Sequence, residues 1–175
     1  RHPNDKDVLL YQGLGFQGMG RFAQAAEAYE RALQFMSAEE RGVMESVAAI
    51  VSPEEQGRLA RDSRTAFGGA WSDTPKLADF WGRRDPLLLT SFNERRMEHY
   101  GRVAYANLRF SRPEEGIPGW KTEQGQVYIR YGRYLGRVVL RPMEAGQIYH
   151  ETWSYEGFNV TFQNWDGLDH WRFES

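Results

Sequence analysis

The chain has 175 residues, with 24 acidic and 22 basic side chains, no cysteine and a formal net charge of −2. Charges this nearly balanced give no strong field for nucleic acid, so we expect no nucleic-acid partner. The lack of cysteine excludes disulfides, thiolate metal sites and a cysteine nucleophile. No apolar run approaches the roughly 20 residues that span a bilayer, so no membrane-spanning segment is expected.

The first block of the chain has the spacing of a helix–turn–helix repeat. Its small residues would let two helices approach closely, and Gly20 falls where the chain must turn. The positions that follow this spacing are Gly13, Phe16, Gly20, Phe22, Ala25, Tyr29, Ala32 and Leu33. The block resembles one tetratricopeptide repeat. We therefore predict a helical hairpin at the start of a helical module over residues 1–65.

One repeat buries little core by itself, since about three are normally stacked. Two arrangements stay open: residues 2–5 link to a preceding repeat, or the following helices complete the core. In such repeats the first helix lines a concave surface that binds peptides or partner helices. We expect Leu10, Leu14 and Gln17 on this surface. The competing interpretation is that Leu10 and Leu14 pack on a preceding repeat or on another chain.

Later helices are marked by their capping residues. Ser37 with Glu40, and Ser52 with Glu55, have the spacing of a capping box. Pro53 suits the first position of a helix because its missing N–H has no partner there. Each pair therefore predicts a helix start.

Two further helices are predicted over 75–85 and 92–109, and the small residues of 66–72 predict the loop between two modules. Gly101 weakens the second of these helices by ~1 kcal/mol relative to alanine, so we expect close packing at this position. The second module is predicted to span 73–175.

The C-terminal region predicts a three-stranded antiparallel meander. Glu156-Gly157 and Asp166-Gly167 are typical two-residue hairpin turns. With these turns Trp153 pairs with Val160 and Phe162 with Trp171, which places the large residues on one face. We expect this face to pack on the 92–109 helix at Met97 and Tyr100, and residues 127–131 to extend the sheet. The residues predicted on the face are Trp153, Tyr155, Phe158, Val160, Phe162, Trp171 and Phe173.

The opposite face of the predicted sheet is polar. In this register His150, Gln163 and His170 form one row across three strands, and we take them as a possible ligand-facing surface. Two residues separated by a middle strand lie about 10 Å apart, too far to share one ion, so we assign no metal ligand. The face comprises His150, Thr152, Ser154, Asn159, Thr161, Gln163 and Arg172.

The segment Gly119–Gly132 combines a glycine–tryptophan pair, a polar turn and an alternating strand pattern. It resembles the signature of the GWxTD domain, a family of bacterial proteins with no established activity. Glu123 replaces the aspartate of the signature, and Tyr134 stands where a proline is expected, which leaves 136–141 open as an additional strand. The resemblance extends to preceding segments, namely Phe80-Trp81, Arg84-Asp85-Pro86, Asn93-Glu94-Arg95-Arg96 and Tyr105-Ala106-Asn107.

The resemblance implies a bacterial origin and favours an exported or periplasmic setting over the cytosol. Because the family has no established activity, it implies no reaction. Within the signature we expect Thr122 and Glu123 to cap the turn before the strand and Trp120 to anchor the segment in the core.

Catalytic candidates are few. Glu94, Glu98 and His99, with Asp85, could supply a general acid and base. Acidic and basic residues interleave along this helix, as on a solvated face with local ion pairs. No nucleophile, metal or phosphate motif accompanies them. We therefore assign no catalytic residue and no cofactor.

The sequence as a whole predicts an α+β chain in which a repeat-like helical module precedes a GWxTD-like domain of helices on a small antiparallel sheet. It favours a non-enzymatic interaction or scaffold module that binds a peptide or a partner helix through the repeat surface. The expected partner is another protein, or the chain associates with itself. The alternative is an enzyme or small-ligand-binding domain that uses the polar sheet face or the groove between the modules.

Overall fold

The computed structural model describes residues 5–61, 75–85, 90–141, 148–165, 167 and 170–174. Contacts divide the chain into two compact units, unit 1 (Arg1–Tyr105) and unit 2 (Ala106–Ser175). The chain is α+β, as predicted. The loop predicted at 66–72 lies outside the described residues. The described helices are α1 (Lys6–Gly18), α2 (Phe22–Gln34), α3 (Ala38–Glu45), α4 (Pro53–Arg61), α5 (Pro75–Gly82), α6 (Glu94–Phe110) and α7 (Glu123–Tyr131). The strands are β1 (Gly136–Leu140), β2 (Tyr149–Tyr155), β3 (Phe158–Asn164) and β4 (Arg172–Phe173).

Unit 1 begins with a hairpin of α1 and α2. Gly20 makes the turn with φ at +72°, a conformation that residues with a side chain rarely adopt. Gly13 lies against the ring of Tyr29, where even a methyl group would overlap ring carbons. Tyr29, Ala25 and Ala32 are fully buried. The predicted hairpin is therefore confirmed, with its small and aromatic residues at the interface between the helices.

Helix α6 covers part of this hairpin. Tyr100 packs edge-on against Tyr29, with ring centroids 6.2 Å apart. A side chain at Gly101 would overlap Gln17 and touch the hydroxyl of Tyr29. The close packing predicted for Gly101 is confirmed, and later helices of the same chain contribute to the core of the hairpin.

Both predicted caps are present. The hydroxyl of Ser37 accepts a hydrogen bond from the backbone of Glu40, whose carboxylate accepts one from the backbone of Ser37 in return. The hydroxyl of Ser52 accepts from the backbone N–H of Glu55 at 3.2 Å. The carboxylate of Glu55 binds Arg84 at 2.6 Å. Among the described residues, no helix has the length and apolar composition needed to cross a bilayer.

Unit 2 contains a four-stranded antiparallel sheet in the order β1-β2-β3-β4. The first predicted hairpin has the predicted register, because Trp153 pairs with Val160 and Tyr155 with Phe158. Gly157 supplies the positive φ of the turn, +83°. Strand β1 pairs with β2, so the additional strand left open at 136–141 is present.

The register predicted for the second hairpin is wrong by two residues. Phe162 pairs with Phe173 rather than with Trp171, and the two phenyl rings stack with centroids 5.5 Å apart. The connection is longer than a two-residue turn, and the side chain of Asn164 accepts a hydrogen bond from Gly167 within it. A shift of two residues keeps every side chain on its face, so Phe173 still belongs to the aromatic side. Asp166 lies outside the described residues.

The strand predicted over 127–131 is wrong, because these residues belong to helix α7. Thr122 caps the helix start, accepting from the backbone N–H of Gly125, and Gly132 follows its last residue at φ +78°. Val127 and Ile129, about 200° apart around a helix axis, are both buried. A helix buried on two opposite sides produces the alternation that is also typical of a strand.

The aromatic face of the sheet packs on α7 and on the last residue of α6. Phe110 meets Trp153 with ring centroids 5.4 Å apart. Met97 and Tyr100, the residues of α6 predicted to make this contact, belong to unit 1 and are buried there. The cluster consists of buried Val127, Trp153 and Phe162 and of partly buried Phe110, Tyr128, Tyr134, Tyr155, Val160 and Trp171.

Candidate functional site

The residues predicted to form the repeat surface make contacts inside unit 1. Leu10 is 6% exposed and belongs to the core. Gln17 is half-buried, and its side-chain oxygen accepts a hydrogen bond from the hydroxyl of Tyr29 at 2.9 Å. Leu14 is half-buried as well. Leu10 and Gln17 therefore contact residues of their own unit, whereas Leu14 stays partly exposed.

The other side of α1 is exposed and mostly apolar, and it also presents Gln12. Val8, Tyr11 and Met19 are 41%, 47% and 64% exposed, and Gly15 lies among them at helical spacing. We call Val8, Tyr11 and Gly15, together with Met19 directly after the last residue of the helix, the outer face of α1. This exposed face could have been predicted from the sequence, because apolar residues occur on both sides of the helix.

The predicted polar row on the sheet is partly wrong. His150 pairs with Gln163 as predicted, but Gln163 pairs with Arg172 instead of His170. The ring of His170 contacts the carboxylate of Glu115 outside the sheet. Within the described ranges, no group of three histidine, aspartate or glutamate side chains could hold a metal ion.

The signature segment holds the start of α7 against the end of α6. The backbone N–H of Gly119 donates to the hydroxyl of Ser111 at 2.8 Å, and that of Trp120 donates to the side chain of Asn107 at 3.1 Å. The hydroxyl of Thr122 donates to the carbonyl of Gly119 at 2.8 Å. Thr122 therefore caps a helix rather than a strand, and the contacts of the signature are structural.

The acid and base candidates of α6 do not meet in an open site. Glu98 binds Arg95 at 3.0 Å and Arg102 at 2.5 Å, and Glu94 accepts from the hydroxyl of a neighbouring threonine. His99 is 3% exposed, and burial lowers its pKa from 6.5 to about 4, with the nearby Arg102 acting in the same direction. The interleaved charges form local ion pairs, as predicted, and His99 is a neutral residue of the interior.

Unit 2 contains an open cavity of about 410 Å³ beside the aromatic cluster. Its charged lining consists of Arg109, Arg137, Arg141 and Glu151. The cavity lies on the aromatic side of the sheet, opposite to the polar face that the sequence singled out. Charged, amide and aromatic side chains come together in this cavity.

Glu151 is buried at 2% exposure and is held by several donors. The guanidinium of Arg137 binds it with two hydrogen bonds of 2.5 and 3.0 Å, and the indole N–H of Trp153 donates at 2.7 Å. These contacts use both carboxylate oxygens and neutralise the charge. Glu151 therefore fixes the position of Arg137 beside the cavity.

This cavity was not predicted from the sequence, although the position of one charged residue could have indicated it. In the confirmed register Glu151 lies on the same face as Trp153, so a charged residue interrupts an apolar row. A buried carboxylate requires a cationic partner. Arg137 could not be assigned as that partner because the pairing of β1 with β2 was not predicted in register.

A scan against protein-family models, a search of curated proteins and a search of solved structures each returned no match. The similarity to the GWxTD domain and to a tetratricopeptide repeat therefore rests on the sequence positions quoted above. Function has to be inferred from the surfaces and the cavity of the two units.

Proposed function

We propose that the chain is a protein–protein interaction module that binds a partner helix through the outer face of α1. The observation that carries the proposal is that the exposed side of α1 is mostly apolar, with Gln12 as an exposed polar side chain among its apolar residues. After Asp7 the helix contains no charged residue, and its apolar side chains lie both toward α2 and toward solvent. A surface helix normally presents charged and polar residues to solvent. The exposed side of α1 therefore has the composition of a contact surface.

Gly15 supports the same proposal. A glycine inside a helix costs ~1 kcal/mol relative to alanine, so its presence calls for a compensating contact. Gly13 has such a contact at Tyr29, but a methyl group at Gly15 would meet nothing within 4 Å in the part of the chain that the structure describes. A glycine flanked by Tyr11 and Met19 lets the backbone of a second helix approach closely.

The spacing of the outer face fits a helix as the partner. Val8, Tyr11, Gly15 and Met19 follow one another at three and four residues, the pattern by which one helix packs along another. Full burial of a side chain as large as Met19 stabilises a complex by about 1.5–3 kcal/mol. Tyr11 adds a large contact area at a low cost in side-chain entropy.

Affinity capture followed by binding measurements tests the proposal. The full chain and its Tyr11→Glu variant are used to capture proteins from a bacterial lysate, and each captured protein is purified and titrated by calorimetry. We expect a helical partner whose affinity falls at least tenfold with Tyr11→Glu, because the variant places a charge in an apolar contact. Light scattering of the chain alone identifies the case in which the partner is a second copy.

Gln34→Glu is the matched control. Gln34 is an exposed residue of α2 away from the outer face, and its replacement adds the same charge to the same hairpin. Circular dichroism verifies that both variants keep their helices. Equal loss of binding in both variants, or capture of no partner and no self-association by the wild type, would refute the proposal.

A further inference from the structure

Among the described residues that line the cavity of unit 2, positive charges outnumber negative ones. Of its three guanidinium groups, that of Arg137 is neutralised by Glu151. Arg109 and Arg141 are exposed, and neither forms an ion pair within the described part of the chain. In the described lining two positive charges therefore remain beside one cavity, in a chain whose net charge is −2.

The backbone does not cancel this charge. The C-terminal end of α6, at Arg109 and Phe110, lines the cavity and contributes about half a negative charge. The first turn of α7, at Gln124, lines it too and contributes a similar positive charge. These dipole ends largely offset each other, so within the described lining the two guanidinium groups leave a net positive charge.

The remaining lining suits an organic molecule rather than a bare ion. The rings of Tyr149 and Trp171 provide flat apolar area, and the buried amide of Asn164 provides hydrogen-bonding groups in fixed positions. The Asn164 amide is itself held by a bond from Gly167 at 3.0 Å. A volume of about 410 Å³ lies in the usual range for small-molecule sites.

We propose that this cavity binds a small organic anion that carries a planar ring and a phosphate or carboxylate group. Arg109 and Arg141 bind the anionic group, and the ring lies against Tyr149 and Trp171. Arg137 is held by Glu151 at the wall of the cavity. This ligand site is separate from the outer face of α1, so either proposal can fail without the other.

Calorimetric titration of the full chain at low ionic strength tests the proposal with four probes. Adenosine monophosphate and phthalate each combine a ring with an anionic group, adenosine has a ring without charge, and inorganic phosphate has charge without a ring. We expect at least one of the first two to bind, and both of the others to bind at least tenfold more weakly. Comparison of the first two shows whether phosphate or carboxylate is preferred.

Variants place the binding in the cavity. Arg109→Gln and Arg141→Gln each remove one charge from an exposed side chain, so folding should be retained, as thermal unfolding will verify. Each variant should weaken binding about tenfold or more, since a charge-assisted hydrogen bond is lost. Arg133→Gln is the control, because Arg133 is an exposed arginine of the same unit that does not line the cavity. It should leave binding unchanged.

Results of two kinds would overturn the proposal. One is the absence of binding by both ring-bearing anions at millimolar concentration. The other is binding that the two cavity variants leave unchanged, or that Arg133→Gln weakens equally, since attraction would then arise from the general charge of the surface. A shift of the indole N–H resonance of Trp171 on titration, with that of Trp120 unmoved, would support the site independently of affinity.

Discussion

The backbone of Gly119 lies against the carbonyl oxygen of Ala106, with no space for a side chain between them. This contact brings the start of α7 onto the end of α6. Because the obstacle is backbone, Gly119→Ala cannot be accommodated by a rotamer change. We expect the free energy of unfolding to fall by about 2–3 kcal/mol, as for overpacked interiors, measured by urea denaturation.

Gly136→Ala is the control for this prediction. A methyl group at Gly136 would lie 3.7 Å from the side chain of Ser154, which is an ordinary contact. The free energy of unfolding should change by less than ~0.5 kcal/mol. If Gly119→Ala were as stable as this control, the contact with Ala106 would not explain the glycine of the signature.

The same segment illustrates what the sequence could and could not predict. Thr122 was identified as a cap, since its residue type and position relative to Gly125 are local signals. The element that it caps was predicted as a strand, because Val127 and Ile129 are buried on opposite sides of one helix. The spacing of apolar residues along a chain reflects which positions are buried. When a helix is buried on two sides, this spacing no longer shows the helical period of about 3.6 residues.

Strand pairing could be predicted from the sequence only where a short turn joins the two strands. The register of Trp153 and Val160 was predicted because the turn that fixes it lies within a few residues. The pairing of Phe162 with Phe173 was missed by two residues because a longer loop separates them. Glu151 and Arg137 meet through the pairing of β1 with β2, which no local pattern specifies. The cavity therefore could not be predicted from the sequence alone.

Two glycines of α1 should respond oppositely to the same substitution. Gly13→Ala places a methyl group against the buried ring of Tyr29, and we expect the free energy of unfolding to fall by about 2–3 kcal/mol. Gly15→Ala meets open space and gains helix propensity, so it should stabilise the isolated chain by up to ~1 kcal/mol. Chemical denaturation of both variants measures this difference. Destabilisation by Gly15→Ala would indicate that Gly15 packs against another part of the same chain and does not face solvent.

The ion pair of Glu151 and Arg137 should be strongly coupled. Glu151 is 3% exposed at its side chain and Arg137 39%, so solvent weakens the pair from one side. A double-mutant cycle with Glu151→Gln and Arg137→Gln should give a coupling energy of about 1–3 kcal/mol, measured by urea denaturation. The larger single effect is expected for Arg137→Gln, because it leaves a buried carboxylate with no cation. A coupling near zero would show that Trp153 alone satisfies Glu151.

His99 makes the stability of unit 1 depend on pH. Its ring lies 5.5 Å from that of Trp81 between centroids and close to Tyr100, and burial lowers its pKa from 6.5 to about 4. The guanidinium of Arg102 lowers the pKa further, whereas the carboxylate of Glu98 and the backbone of Ser46 and Met44 raise it. The folded chain thus keeps His99 neutral at pH values where the unfolded chain protonates it.

The sign of the effect follows from proton linkage. Below pH 6.5 the unfolded state binds a proton at His99 that the folded state does not bind until about pH 4, so stability falls as the pH is lowered through this interval. At 1.36 kcal/mol per pKa unit the loss amounts to about 3 kcal/mol. Urea denaturation of the wild type and of His99→Gln at several pH values between 7 and about 4 measures it. All other groups are common to the two proteins, so the histidine contribution is the difference between the two pH profiles. Parallel profiles would mean that His99 is accessible to protons in the folded state.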